Sequence, residues 1–211
     1  MLAEPIFVSL QWEWPNTWLP SIFIRFFGCN KCCKWCDSLY AVNNPESITN
    51  PSIENIVDEV IRLKCKNIVF TGWEPALFEN IIEQIQSKLW RSYTYEIETN
   101  WSIPLRLKYN QINISPKLSN SWNQPYDIKA LENQNNRKYC YKFVMKGIED
   151  IEEIEECIKR YNINKNKIYI MPMWTDKESQ INQEVLNYCI KKWYRYCQRT
   201  HIILFGNKKG V

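Results

Sequence analysis

Short apolar, β-branched runs alternate along this chain with stretches whose apolar residues recur every three or four positions. The first kind covers Ser21–Phe27, Asn67–Thr71, Thr94–Glu98, Gln111–Ser115, Tyr139–Met145, Lys167–Met171 and His201–Phe205, and each reads as a strand. The second kind reads as helix. Pro51 and Ser52 open one ahead of Ile53, Ile56, Val57, Val60 and Ile61, and Ile81, Ile82, Ile85 and Leu89 mark another. Ile148, Ile151, Ile154, Ile158 and Tyr161 form a third pattern, and Ile181, Val185, Cys189 and Ile190 a fourth. Strand then helix, repeated, requires right-handed crossovers and a parallel sheet. About six such units predict an α/β fold whose sheet curls into an incomplete (β/α) barrel, with a doubly wound open sheet as the alternative.

No linker, repeat or low-complexity tract divides the 211 residues, which predicts one domain spanning 1–211. The net charge of +4 is modest. Pairs such as Lys191-Lys192 and Lys208-Lys209 read as solvated ends of elements, so a small-molecule substrate is expected and nucleic acid is not. The chain opens with no charged n-region and apolar h-region, and no apolar run is long enough to span a membrane. Nine cysteines are an odd number, and Cys65, Cys140, Cys157, Cys189 and Cys197 sit among apolar neighbours as reduced core residues do. A cytoplasmic protein is expected.

A barrel places chemistry where strands end and βα loops begin. Gly28 and a run of cysteines follow the first strand, Thr71-Gly72-Trp73-Glu74-Pro75 the second, and Glu98-Thr99-Asn100-Trp101 the third. Ser115-Pro116-Lys117 follows the fourth, and Met171-Pro172-Met173-Trp174-Thr175-Asp176 the sixth. Any one of these is an ordinary turn or cap. Five together predict one ring around one pocket.

The loop at 28–38 carries Cys29, Cys33 and Cys36 in a C-x3-C-x2-C run. Three thiolates can hold three irons of a cubic [4Fe-4S] cluster and leave the fourth iron open, whereas an electron-carrying cluster takes four. S-adenosylmethionine can fill such an opening through its amino and carboxylate groups. Cys32 allows a four-thiolate zinc site on paper, yet structural zinc knuckles are separated by a dozen or more residues and these abut.

These motifs resemble a known family. Gln11-Trp12-Glu13-Trp14, Leu19-Pro20-Ser21-Ile22-Phe23-Ile24-Arg25 and Trp35-Cys36-Asp37-Ser38 are similar to the 7-carboxy-7-deazaguanine synthases, radical S-adenosylmethionine enzymes of queuosine and deazapurine biosynthesis. The likeness continues through the strand-end motifs to Arg199-Thr200-His201. It implies conversion of 6-carboxy-5,6,7,8-tetrahydropterin to 7-carboxy-7-deazaguanine and ammonia, with an electron delivered by a flavodoxin or ferredoxin. It also implies a homodimer.

Carried over by position, the resemblance gives the cluster to Cys29, Cys33 and Cys36, and S-adenosylmethionine to Trp35, Asp37, Trp73, Glu74, Ser115, Pro116 and Lys117. It gives the pterin to Leu10, Gln11, Trp12, Glu13, Arg25, Thr71 and His201, and Mg2+ to Ser38, whose hydroxyl is a hard oxygen ligand. Gln and Glu suit the pterin's donor and acceptor edge, and Arg its carboxylate. A carboxylate partner within the protein would make Arg25 structural instead. His201, the single histidine, is as readily a packed residue as a pocket one. A glycyl-radical-enzyme activase, which shares the cysteine run, and a non-catalytic degenerate homologue stay open.

One departure is systematic. The family's Q-G-E-G, T-G-G-E-P and E-T-N-G motifs carry Trp12, Trp14, Trp73 and Trp101 here in place of glycine, and Trp18, Trp90, Trp122, Trp174 and Trp193 fall where turn glycines are natural. Counted with the five glycines present, the nine bring the total close to the roughly 7% that is usual. Two readings follow: glycine codons (UGA) written as tryptophan, or a real Trp-rich surface that stacks bases or blocks the cofactor.

Overall fold

The computed structural model describes residues 1–36, 48–89, 92–123, 138–176, 178–206 and 208. Its core is one open sheet of eight strands in sequence order. These are β1 (Phe7–Leu10), β2 (Pro20–Phe26), β3 (Asn67–Gly72), β4 (Thr94–Thr99), β5 (Gln111–Ile114), β6 (Tyr139–Met145), β7 (Ile168–Pro172) and β8 (Arg195–Tyr196). β1 pairs antiparallel with β2, and every later neighbour is parallel. The helices are α1 (Ile53–Leu63), α2 (Glu79–Leu89), α3 (Ile151–Arg160), α4 (Gln183–Lys192) and α5 (Thr200–Phe205). The partial α/β barrel expected from the alternation is therefore the fold.

Alternation along each strand divides the sheet into two faces. Ile22, Ile24 and Phe26 of β2, Ile68 and Phe70 of β3, Ile97 of β4 and Phe143 of β6 point to the helices, into one large core with Ile56, Val60, Ile82, Ile85, Ile154 and Val185. The other face carries a smaller apolar patch of Cys140, Val144, Tyr169, Met171 and Cys197. Trp14 joins that patch, and the rest of the face is largely polar, with Phe23 and Val69 as apolar exceptions.

Local chemistry explains where elements begin. Ser52 Oγ accepts from the Asn55 amide at 3.2 Å and starts α1, and Asn182 caps α4 through the Val185 amide. Two of the apolar patterns start ahead of their helices, at Ile148 and Ile181, and both residues are exposed, as are Ile61 and Ile190 within α1 and α4. Ile148 belongs to a 3-10 turn and Ile181 precedes the cap of α4.

One expectation fails. His201–Phe205 is helix α5, not a strand; Ile203 and Gly206 amides bond back to Arg199 and Ile202. The apolar run is real, but only Ile202 within it is buried, so it serves as one helical face. Between β4 and β5, where the sequence carries no helical pattern, no helix forms. The buried Glu79 carboxylate instead takes the backbone amides of Arg106 and Leu107 and the Tyr109 hydroxyl, which ties down an extended loop. β1 and the two-residue β8 were not expected, since neither is long enough to show alternation.

Candidate active site

The polar face of the sheet and the loops at the strand C-termini enclose a cavity of about 1010 Å³. Cys29, Cys33, Cys36, Gly72, Trp73, Asn100, Ser115, Lys117 and Trp174 line it, so residues from all five strand-end motifs meet there. Gly72 has φ +114°, and a Cβ on it would stand 2.2 Å from the Phe26 carbonyl oxygen; only glycine lets β3 leave beside β2.

Cys29 and Cys36 are half-buried and Cys33 is buried. Donors surround their sulfurs. The Lys31 amide lies 3.3 Å from Cys29 Sγ, and Asn123 Nδ2 lies 3.1 Å from Cys33 Sγ while Asn123 Oδ1 accepts from the Cys32 amide. Burial pushes the Cys29 thiol up, and the Lys31 amide works against that. Lys117 Nζ donates to Ser115 Oγ at 2.8 Å; burial lowers its pKa, opposed by the sulfurs of Cys33, Cys36 and Cys29. Trp35 holds its place through Nε1, which donates to Asn120 Oδ1 at 3.2 Å.

Deeper in the cavity the strands contribute carboxylates and an ammonium. Gln11 Nε2 bridges Glu96 Oε1 at 2.9 Å and Glu98 Oε1 at 3.2 Å. Glu96 is buried and also accepts from Asn16 at 2.6 Å and Asn113 at 2.6 Å. Thr71 Oγ1 donates to Glu98 Oε2 at 2.6 Å. Lys142 Nζ pairs with Glu13 Oε2. Burial raises the Glu96 carboxyl, opposed by its amide donors, and raises Glu98, with the Glu13 charge adding to it. Burial opposes the Lys142 ammonium, but Glu13, with help from Cys197 and Glu98, outweighs it and the pKa rises.

The expected site residues divide. Gln11, Trp12, Glu13, Arg25, Thr71 and His201 line the cavity, as do Trp35, Trp73, Ser115 and Lys117. Leu10, Glu74 and Pro116 are not among its lining. Leu10 pairs with Pro20 in the hairpin. Glu74 is fully buried beneath the rim: Oε1 accepts from the Ala76 amide and from Thr99 Oγ1, and Oε2 from the Asn100 amide at 2.7 Å. With both oxygens engaged, Glu74 fixes the loops after β3 and β4. Gln11 likewise spends its amide on Glu96 and Glu98, so its part is to hold those carboxylates. Arg25 Nε lies 2.5 Å from Glu4 Oε1, which supplies the partner its burial demands. Asp37 and Ser38 lie outside the described residues.

Sequence reasoning missed Glu96, Asn113, Lys142, Glu4 and Asn123. The signal for the first three was alternation itself: Glu96 and Glu98 flank Ile97, and Lys142 lies between Tyr141 and Phe143. Those apolar neighbours turn to the helices, so the charges must turn inward.

Residues 23–183 match the family model described as the radical SAM superfamily. The 7-carboxy-7-deazaguanine synthase of Rhodopirellula baltica is 28% identical over 229 residues, covering 100% of this chain and 89% of its own. That of Buchnera aphidicola subsp. Schizaphis graminum is 31% identical over 207 residues, with 88% of each chain covered. The chain belongs to the radical SAM superfamily and to its 7-carboxy-7-deazaguanine synthase family. The crystal structure of QueE from Escherichia coli shares the fold, with a TM-score of 0.72 at 23% identity over 95% of this chain and 93% of that one.

The superfamily's cofactors are a [4Fe-4S] cluster and S-adenosylmethionine. The thiols fit a cluster. The three line one cavity, and a cubane takes one thiolate at each of three corners. The amide donors on Cys29 and Cys33 and the Lys117 ammonium suit the negative charge of such ligands. All nine cysteines are free thiols, and no described helix is long and apolar enough to cross a membrane.

Proposed function

We propose that this chain is a radical S-adenosylmethionine lyase converting 6-carboxy-5,6,7,8-tetrahydropterin to 7-carboxy-7-deazaguanine with release of ammonia. The observation that carries the reading is the shared cavity: the three cysteines and the polar side chains of Glu13, Lys142, Glu98, Thr71 and Arg25 line one space.

Cys29, Cys33 and Cys36 would hold the cluster, which with S-adenosylmethionine supplies one-electron chemistry able to remove a substrate hydrogen. Lys117 and Ser115 brace the cofactor side, and Trp35 closes over Lys117, whose Nζ lies 5.4 Å from its ring centre. Thr71 fixes Glu98, and Lys142 fixes Glu13, so two carboxylates are presented to the donor groups of a pterin edge at set positions. Arg25, paired with Glu4, is structural by that test and steadies the cavity wall. We assign Mg2+ to Ser38. A flavodoxin or ferredoxin donor, a homodimer and a cytoplasmic setting complete the proposal.

The test is anaerobic assay of the reconstituted protein, made with glycine at the nine tryptophan positions that match family or turn glycines, with S-adenosylmethionine, with and without the carboxypterin. Deazaguanine product formed together with the carboxypterin supports the reading. 5′-Deoxyadenosine without deazaguanine product sinks it in favour of an activase.

A further inference from the structure

Seven non-glycine residues among those described have positive φ, and five of them are tryptophans: Trp14 at 67°, Trp18 at 74°, Trp101 at 64°, Trp122 at 64° and Trp193 at 62°. The left-handed region is a few per cent event for non-glycine residues, concentrated in Asn, Asp and His, and a bulky side chain there is an outlier. Their settings are those of glycine. Trp193 is the left-handed cap of α4, with its amide and that of Tyr194 returning to Ile190 and Cys189. Trp122 ends a 3-10 turn in the same way. Trp14 and Trp18 turn the loop between β1 and β2, where the Trp18 amide reaches the Gln11 carbonyl.

Trp14 and Trp101 pack into the apolar clusters, but the side chains of the other three find little to pack on. Trp18, Trp122 and Trp193 are 55%, 72% and 81% exposed. The indole N–H groups of Trp14 and Trp73 are buried with no hydrogen-bond partner among the described residues, although a buried indole normally finds one. Contacts do exist, such as Lys142 Nζ at 4.2 Å from the Trp14 ring centre and Trp101 packed on Tyr141, but none requires an indole. Trp12, Trp14, Trp73 and Trp174 all line the cavity. Trp35 behaves otherwise: its φ is not positive, and its Nε1 donates to Asn120.

We propose that residues 12, 14, 18, 73, 101, 122, 174 and 193 are glycine in the protein its own cell makes, encoded by UGA triplets read there as glycine, and that Trp35 alone among the described tryptophans is genuine. Trp90, which shares the sequence pattern, lies outside the described residues. The consequence for the site is an open backbone surface at 12, 14, 73 and 174, on which a ligand can lie against the main chain. The inference stands on backbone geometry and side-chain satisfaction, so it can fail while the synthase reading holds.

Two measurements decide it without an activity assay. Reading the gene should give UGA at the eight positions and UGG at 35. Peptide mass spectrometry on the protein from its source cell should give glycine at 14, 18, 101, 122 and 193 and tryptophan at 35. Tryptophan in those five peptides, or UGG at those codons, overturns the proposal.

Discussion

Lys142 and Glu13, 129 residues apart in the chain, form an ion pair inside the concave face of the sheet. The pair joins β6 to the loop after β1, and neither partner is more than slightly exposed. Removing one member of a buried pair leaves an uncompensated charge, so Lys142→Met should cost about 3–4 kcal/mol. The double variant Glu13→Gln, Lys142→Met should recover part of that loss. Urea unfolding of the four proteins of this cycle measures it; a Lys142→Met protein as stable as the parent would contradict the pairing.

Glu96 gives the protein a pH signature. Its folded carboxyl titrates above the ordinary value because it is buried, so the folded state holds the proton more firmly than the unfolded chain does. Stability from this group is therefore greatest in acid and declines as pH rises from the unfolded carboxylate value through the raised folded one. Glu98 and Glu74 shift in the same direction. Glu96→Gln should flatten part of the decline, since Asn16 can turn its amide to meet the new donor. Urea midpoints from pH 4 to 7 for both proteins give the difference curve, and parallel profiles would refute the assignment.

Glu74 acts beneath the site, and its loss should show as structure. Glu74→Ala leaves the Ala76 and Asn100 amides and the Thr99 hydroxyl without their acceptor. At about 1–3 kcal/mol for an unsatisfied buried group, a loss of ~3 kcal/mol or more is expected. Thr99→Val should cost only ~1 kcal/mol. Equal, small effects in thermal unfolding would mean that the carboxylate is not the anchor.

How much of this was legible follows from where each signal lies. Six strands and four helices were readable because their apolar periods are long enough to distinguish a two-residue repeat from one of three or four. His201–Phe205 was not, since its four apolar residues in a row carry no period. The cysteine loop and the strand-end ring could be read from spacing, and the cavity gathers them. The engaged states of Gln11, Glu74 and Arg25 could not, because their partners Glu96, Glu98, Thr99 and Glu4 come from other stretches of chain and only folding brings them close.

The two kinds of tryptophan should respond oppositely to replacement. Trp193 is exposed and left-handed, so Trp193→Gly removes backbone strain at little packing cost and should stabilise by ~1 kcal/mol. Trp35→Gly loses an indole bond to Asn120 and its packing, and should destabilise by ~2 kcal/mol. Thermal unfolding distinguishes them, and a loss of stability in both would speak for native tryptophan at 193.

The most direct test of the account as a whole is product formation by two versions of the protein, one as written and one with glycine at the nine positions, both loaded anaerobically with iron and sulfide. With carboxypterin, S-adenosylmethionine and a flavodoxin reductant, the glycine form should release 7-carboxy-7-deazaguanine and the tryptophan form little or none. A glycine form that carries the cluster and cleaves S-adenosylmethionine yet yields no deazaguanine would contradict it.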